Sequence, residues 1–137
     1  AVPFVLCRAE LLQESSGDIL FIGYGNGVGR AKQTAAVLDE AVAILDLRFV
    51  KPLDEAMLRE CAKNYSHWYI FSDSAKMGGV GSAILEFLAE DEIMGIHLKS
   101  FEYEDAFITH GDTKLVEESL GLLPAQLAEK VKASLEK

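Results

Sequence analysis

Ile44-Leu-Asp-Leu-Arg-Phe-Val-Lys-Pro-Leu-Asp54 changes character halfway along its length. Its first residues have the apolar composition of a buried strand. Its last three, Pro52-Leu-Asp54, punctuate the start of a helix. A strand that feeds a helix through a short loop belongs to a βαβ unit and predicts a parallel α/β sheet. Arg48 falls at the join, directly after the apolar strand that ends at Leu47. In such sheets the carboxyl ends of the strands collect the ligand-binding groups. A planar fork with five donors suits a phosphate or a carboxylate there. The same arginine is equally able to pair with a local acid such as Asp46 or Asp54, and spacing alone leaves both readings open.

Working outward, Ala9-Glu-Leu-Leu-Gln13 reads as a short strand or extended lead-in, closed by a turn at Ser15-Ser-Gly17. Asp18-Ile-Leu-Phe-Ile-Gly23 is a continuous apolar run between turn residues, as in a fully buried strand. A helix is predicted over Val28 to Glu40, with Ala31, Ala35 and Leu38 at helical spacing. Strand Ala43–Leu47 and a helix to about Asn64 follow. Trp68-Tyr-Ile-Phe71 is a further buried strand, and Gly79 to Glu90 a helix with Ile84, Leu85, Phe87 and Leu88 as its apolar side. Ile96-His-Leu-Lys-Ser-Phe101 alternates, which suits a strand near the sheet edge. Two closing helices are predicted, Thr113 to Leu120 and Pro124 to Leu135, divided at Gly121-Leu-Leu-Pro124. The alternation of strands and helices predicts a mostly parallel sheet with helices on both faces. No internal repeat or domain-dividing linker interrupts it, so residues 1–137 form one domain.

The formal net charge of −9 argues against binding to nucleic-acid phosphates and against docking on anionic membranes. No apolar run reaches the length of a membrane span. The chain opens Ala1-Val-Pro3 without an initiator Met, as a processed or excised piece of a longer chain does. Cys7 and Cys61 are the only cysteines. Their separation makes no metal or redox motif, so each is read as a small buried hydrophobe in a reducing, cytoplasmic compartment.

Gly23-Tyr-Gly-Asn-Gly-Val-Gly29 lies between a strand and a helix, where backbone N–H groups can cradle phosphate. Asp46 lies about 20 residues further on, as a dinucleotide fingerprint requires. The fingerprint nonetheless lacks its third glycine, because Val28 or Arg30 stands there in the two possible registers. A tight strand-to-helix turn is the preferred reading. Met77-Gly-Gly-Val-Gly-Ser82 is a second glycine-rich helix start, suited either to an anion or to close packing. His67, His97 and His110 show no metal-ligand spacing. His67 and His97 read as structural or exposed. His110 reads as a turn histidine or one that approaches an active site. No carboxylate pair, Ser/His/Asp set or activated cysteine emerges, so catalytic residues are read as none.

Four stretches together resemble the carboxy-terminal domain of the 1-deoxy-D-xylulose-5-phosphate synthase family, within the transketolase superfamily. They are Ile22-Gly-Tyr-Gly25, Asp46-Leu-Arg-Phe-Val-Lys-Pro-Leu-Asp54, Met77-Gly-Gly-Val-Gly-Ser-Ala-Ile-Leu-Glu-Phe-Leu88 and Asp105-Ala-Phe-Ile-Thr-His-Gly111. The likeness runs in order from about Phe4 to the Leu120 region. It implies a three-layer α/β/α fold of about five strands, one of them antiparallel, and the third domain of a homodimeric three-domain enzyme.

That enzyme, a transferase, condenses pyruvate with D-glyceraldehyde 3-phosphate, with loss of carbon dioxide, toward isoprenoid, thiamine and pyridoxal biosynthesis. The resemblance implies thiamine diphosphate and Mg²⁺ in the whole enzyme and none bound by this part. The Gly-Asp-Gly and Asn-Asn cofactor motif does not occur here. Arg48 matches the arginine that holds the acceptor phosphate, and Lys51 adds positive charge nearby. Relatives often carry a glutamate pair before the second glycine loop, where this chain has Phe71-Ser-Asp-Ser74. The expectation is a fragment that supplies scaffold and one substrate contact, has the other two domains as partners and is inactive alone. The rival readings are the matching domain of a 2-oxo acid dehydrogenase β subunit or a transketolase, and a free-standing nucleotide-binding module.

Overall fold

The alternation of apolar side chains along each strand decides which helices cover which face of the sheet. A computed structural model of the chain describes residues 9–25, 27–48, 53–72, 79–102 and 124–135. In chain order its elements are β1 (Glu10–Gln13), β2 (Ile19–Tyr24), α1 (Gly27–Val37), β3 (Val42–Asp46) and α2 (Glu55–Asn64). Then come β4 (His67–Ser72), α3 (Val80–Glu90), β5 (His97–Glu102) and α4 (Pro124–Leu135). The expected helix at Thr113 to Leu120 lies outside the described residues.

The sheet order is β1-β3-β2-β4-β5. β2 pairs in parallel with both β3 and β4, and β4 with β5, while β1 runs antiparallel to β3. The expected single antiparallel strand is therefore β1, at one edge. β5 closes the other edge, as its alternating pattern predicts.

Phe21, Ile44, Tyr69, Phe71 and Phe101 face one side, where Ala31 of α1 and Leu127, Ala128 and Val131 of α4 cover them. Leu20, Ile22, Leu45, Trp68 and Ile70 face the other, against Leu58 and Cys61 of α2 and Val80, Ile84, Phe87 and Leu88 of α3. Three layers result, with two cores separated by the sheet. Leu85 departs from the sequence reading, since it is exposed while Ile84, Phe87 and Leu88 are buried. It falls just past the edge of a buried stripe that begins at Val80, so the helical repeat turns it to solvent.

Asp54 fixes the start of α2. Its Oδ1 accepts a hydrogen bond from the Met57 N–H at 3.1 Å, the geometry of an N-cap. Its Oδ2 accepts from the Ala9 N–H at 2.8 Å, which ties the approach to β1 to the same helix start. Asp54→Ala is expected to cost about 1–2 kcal/mol by urea unfolding. Asp54→Asn, which keeps an acceptor oxygen, should recover most of that loss.

Candidate functional site

Connections that leave neighbouring strands toward opposite faces open a crevice at the carboxyl edge of a sheet. After β2 the chain passes to α1 on one face. After β3 and β4, the strands on either side of β2, it passes to α2 and α3 on the other. The crevice therefore lies around the end of β2. Leu47 continues the pairing of β3 there, its N–H donating to the Gly23 carbonyl at 2.9 Å. Arg48 is the next residue. The structure thus puts Arg48 at the carboxyl edge, as its place in the sequence predicts.

Its backbone is unusual. Arg48 has φ of 63°, in the left-handed region that non-glycine residues seldom occupy. Asp46 supports this turn, because its Oδ1 accepts the Arg48 N–H at 3.2 Å. Strain of this kind gathers at functional sites. The side chain is half exposed and donates from Nη2 to Glu10 Oε2 at 2.7 Å, with Nε 3.8 Å from Asp46 Oδ2. Of the two local acids named from sequence, Asp46 is a partner, whereas Asp54 is given to the α2 cap and to Ala9. Glu10 was not foreseen. It reaches Arg48 because β1 is antiparallel, which brings its first residue level with Asp46 at the carboxyl edge.

The glycines of the first loop are explained by packing. A Cβ on Gly23 would lie 2.6 Å from the Val28 Cα, and one on Gly27 would lie 1.8 Å from the Phe71 carbonyl oxygen. Gly25 has φ of 60°. These are the demands of a tight strand-to-helix turn. In the second loop, Gly79 is the residue before α3 and gives it no side-chain cap. Met77 and Gly78 lie outside the described residues, as do Lys51, Cys7, Asp105–Gly111 and, within that stretch, His110. Ser72, which ends β4 where the sequence has no glutamate pair, is buried.

His67 and His97 sit at the opposite edge. Parallel pairing sets them side by side, with rings stacked at 4.8 Å and 13° between their planes. Nearby, the Ser66 hydroxyl donates to Asp18 and holds its carboxyl below the usual range, against a smaller opposing effect of burial. Cys61 is buried within the α2 face, and that burial pushes its thiol up to about 12. A thiol so protonated behaves as a hydrophobe, in agreement with its sequence reading. Among the described residues no group of three or more His, Cys, Asp or Glu is arranged to hold a metal ion. No described helix is long and apolar enough to cross a membrane.

Comparison with known proteins gives the chain a family context. Residues 8–127 match the family model of the transketolase C-terminal domain. A 1-deoxy-D-xylulose-5-phosphate synthase of Sulfurimonas denitrificans is 68% identical over 131 residues, which cover 96% of this chain and 22% of that protein. One from Aliarcobacter butzleri is 60% identical over 130 residues, which cover 95% of this chain and 22% of the relative. The chain thus spans about a fifth of the length of the curated relatives it matches. Among solved structures, a split-gene transketolase, described as an inactive beta4 tetramer, superposes with a TM-score of 0.80. That match is 24% identical and covers 98% of this chain and 44% of the other, so it carries the fold. From the matched model and from these relatives, the chain belongs to the transketolase C-terminal domain family.

Proposed function

We propose that the chain is the carboxy-terminal domain of a 1-deoxy-D-xylulose-5-phosphate synthase and that Arg48 holds the phosphate of the acceptor, D-glyceraldehyde 3-phosphate. The observation that carries the second half is Arg48 itself, strained, half exposed and at the carboxyl edge of the sheet. The first half draws on relatives of that name at 68% and 60% identity. In the whole enzyme pyruvate loses carbon dioxide and its remaining two carbons join the aldehyde. This domain binds and orients the aldehyde by its far end, through the phosphate. A fork of N–H donors matches phosphate oxygens and fixes direction as well as distance.

Thiamine diphosphate, with Mg²⁺, supplies the carbon–carbon chemistry when bound to the rest of the enzyme. The described residues of this edge do not fit that group. Gly23 and Gly27 are closed by Val28 and by the β4 backbone. Three acids described near this edge, Glu10, Asp46 and Asp54, are engaged by Arg48 and by the α2 start. On this reading the chain works with the two other domains of its own subunit, in a cytoplasmic homodimer, and is inactive alone.

The test is steady-state kinetics of the full-length enzyme carrying Arg48→Ala, with each substrate varied separately. A charge-assisted hydrogen bond contributes roughly 1.5–3 kcal/mol, so the acceptor KM should rise about ten- to a hundredfold. The pyruvate KM should stay nearly constant. An unchanged acceptor KM would remove Arg48 from the substrate and leave the domain a scaffold.

A further inference from the structure

We infer that Glu10 is a positioning residue for Arg48, holding one side of its guanidinium so that the other side meets the acceptor phosphate. The inference rests on the reading of Arg48 given above and extends it to a residue on a different strand.

The antiparallel course of β1 makes the contact possible. A parallel strand in that position would bring its last residue to the carboxyl edge, whereas β1 brings its first, paired with Asp46. Glu10 then takes Nη2 at 2.7 Å while Asp46 faces Nε at 3.8 Å. Nε and Nη2 form the lateral edge of a guanidinium, and Nη1 lies away from it. Among the described residues Nη1 is engaged by neither acid. A phosphate approaching from the Nη1 side finds donors already turned toward it, with the two carboxylates behind.

The division of labour between the acids follows from their attachments. Asp46 belongs to the same turn as Arg48 and binds its backbone N–H, so it sets where the side chain begins. Glu10 reaches across from the edge strand and sets where the side chain ends. An arginine has many rotamers to lose on binding a ligand. Ordering it beforehand is worth about two- to tenfold in affinity for one side chain. The side chains of Arg48 and Glu10 are 47% and 52% exposed, so solvent screens Glu10's repulsion of the ligand. Its hydrogen bond to the guanidinium is a direct contact.

The experiment compares Glu10→Ala, Glu10→Gln, Arg48→Ala and the Glu10→Ala/Arg48→Ala double variant in the full-length enzyme. KM and kcat are measured for glyceraldehyde 3-phosphate and for unphosphorylated glyceraldehyde. Glu10→Ala should raise KM for the phosphorylated acceptor about two- to tenfold. It should leave the unphosphorylated acceptor unchanged and add nothing in the Arg48→Ala background. Glu10→Gln, which keeps an acceptor oxygen, should fall between wild type and Glu10→Ala. A lowered KM in Glu10→Ala would make Glu10 a competitor of the phosphate and overturn the inference. So would an unchanged KM, or the same increase with Arg48 already removed. If Arg48→Ala itself leaves the acceptor KM unchanged, the underlying reading of Arg48 fails instead, and the two failures are distinct.

Discussion

Trp68→Ala should destabilise the chain by about 3–5 kcal/mol, among the largest losses available to a single truncation. Trp68 is fully buried in β4, a strand paired on both sides. It belongs to the core formed with Leu20, Ile22, Leu58, Ile84 and Phe87, between the sheet and the helices α2 and α3. Truncation opens a cavity there that three elements must collapse to fill. It also removes the indole N–H that donates to the Tyr65 carbonyl at 2.8 Å. Tyr65 is itself a junction, since its hydroxyl donates to the Ser15 carbonyl and accepts from the Ser15 N–H, both at 3.2 Å. The loss is therefore larger than apolar transfer alone gives. Urea unfolding followed by far-ultraviolet circular dichroism measures it, because the substitution removes the chain's only tryptophan fluorophore. Trp68→Phe keeps most of the ring volume and should lose well under half as much. A drop below about 1 kcal/mol for Trp68→Ala would contradict so dense a core.

The same core explains what could be read from sequence. Buried parallel strands are continuous apolar runs, and the helices around them keep a 3.6-residue repeat, so β2, β3, β4 and their helices fall close to the expected places. Leu85 shows where that repeat fails, because a leucine beside the stripe looks the same in sequence as one within it. Arg48 was legible from its place just after an apolar strand. Its partner Glu10 was not. The four residues of β1 carry no sign of direction, and direction is what brings Glu10 to Arg48. That signal lies in pairing with β3, some 35 residues further along the chain. The stacked histidines have the same origin. Each begins its strand, and only the in-register pairing of β4 with β5 makes them neighbours.

Gly27→Ala should cost about 3 kcal/mol or more, although it adds one methyl group at the start of a helix. Elsewhere in a helix, alanine is favoured over glycine by roughly 1 kcal/mol. The sign reverses at Gly27 because the new Cβ would lie 1.8 Å from the Phe71 carbonyl oxygen, 2.3 Å from its carbon and 2.8 Å from the Ser72 nitrogen. All three are backbone atoms of β4, which is held between β2 and β5 and cannot retreat. The start of α1 must move instead, and with it the crevice at the carboxyl edge. Gly29→Ala is the control, since a Cβ there meets nothing within 4 Å, and it should be neutral or slightly stabilising. Parallel unfolding of the two variants gives the difference directly. The comparison also decides what the glycine-rich loop is for. A loop that cradles phosphate keeps its glycines to leave room for a ligand, whereas Gly27 leaves room for the protein's own strand. If Gly27→Ala unfolded at the same urea concentration as Gly29→Ala, that close approach would be wrong. The loop would then have the space a nucleotide needs.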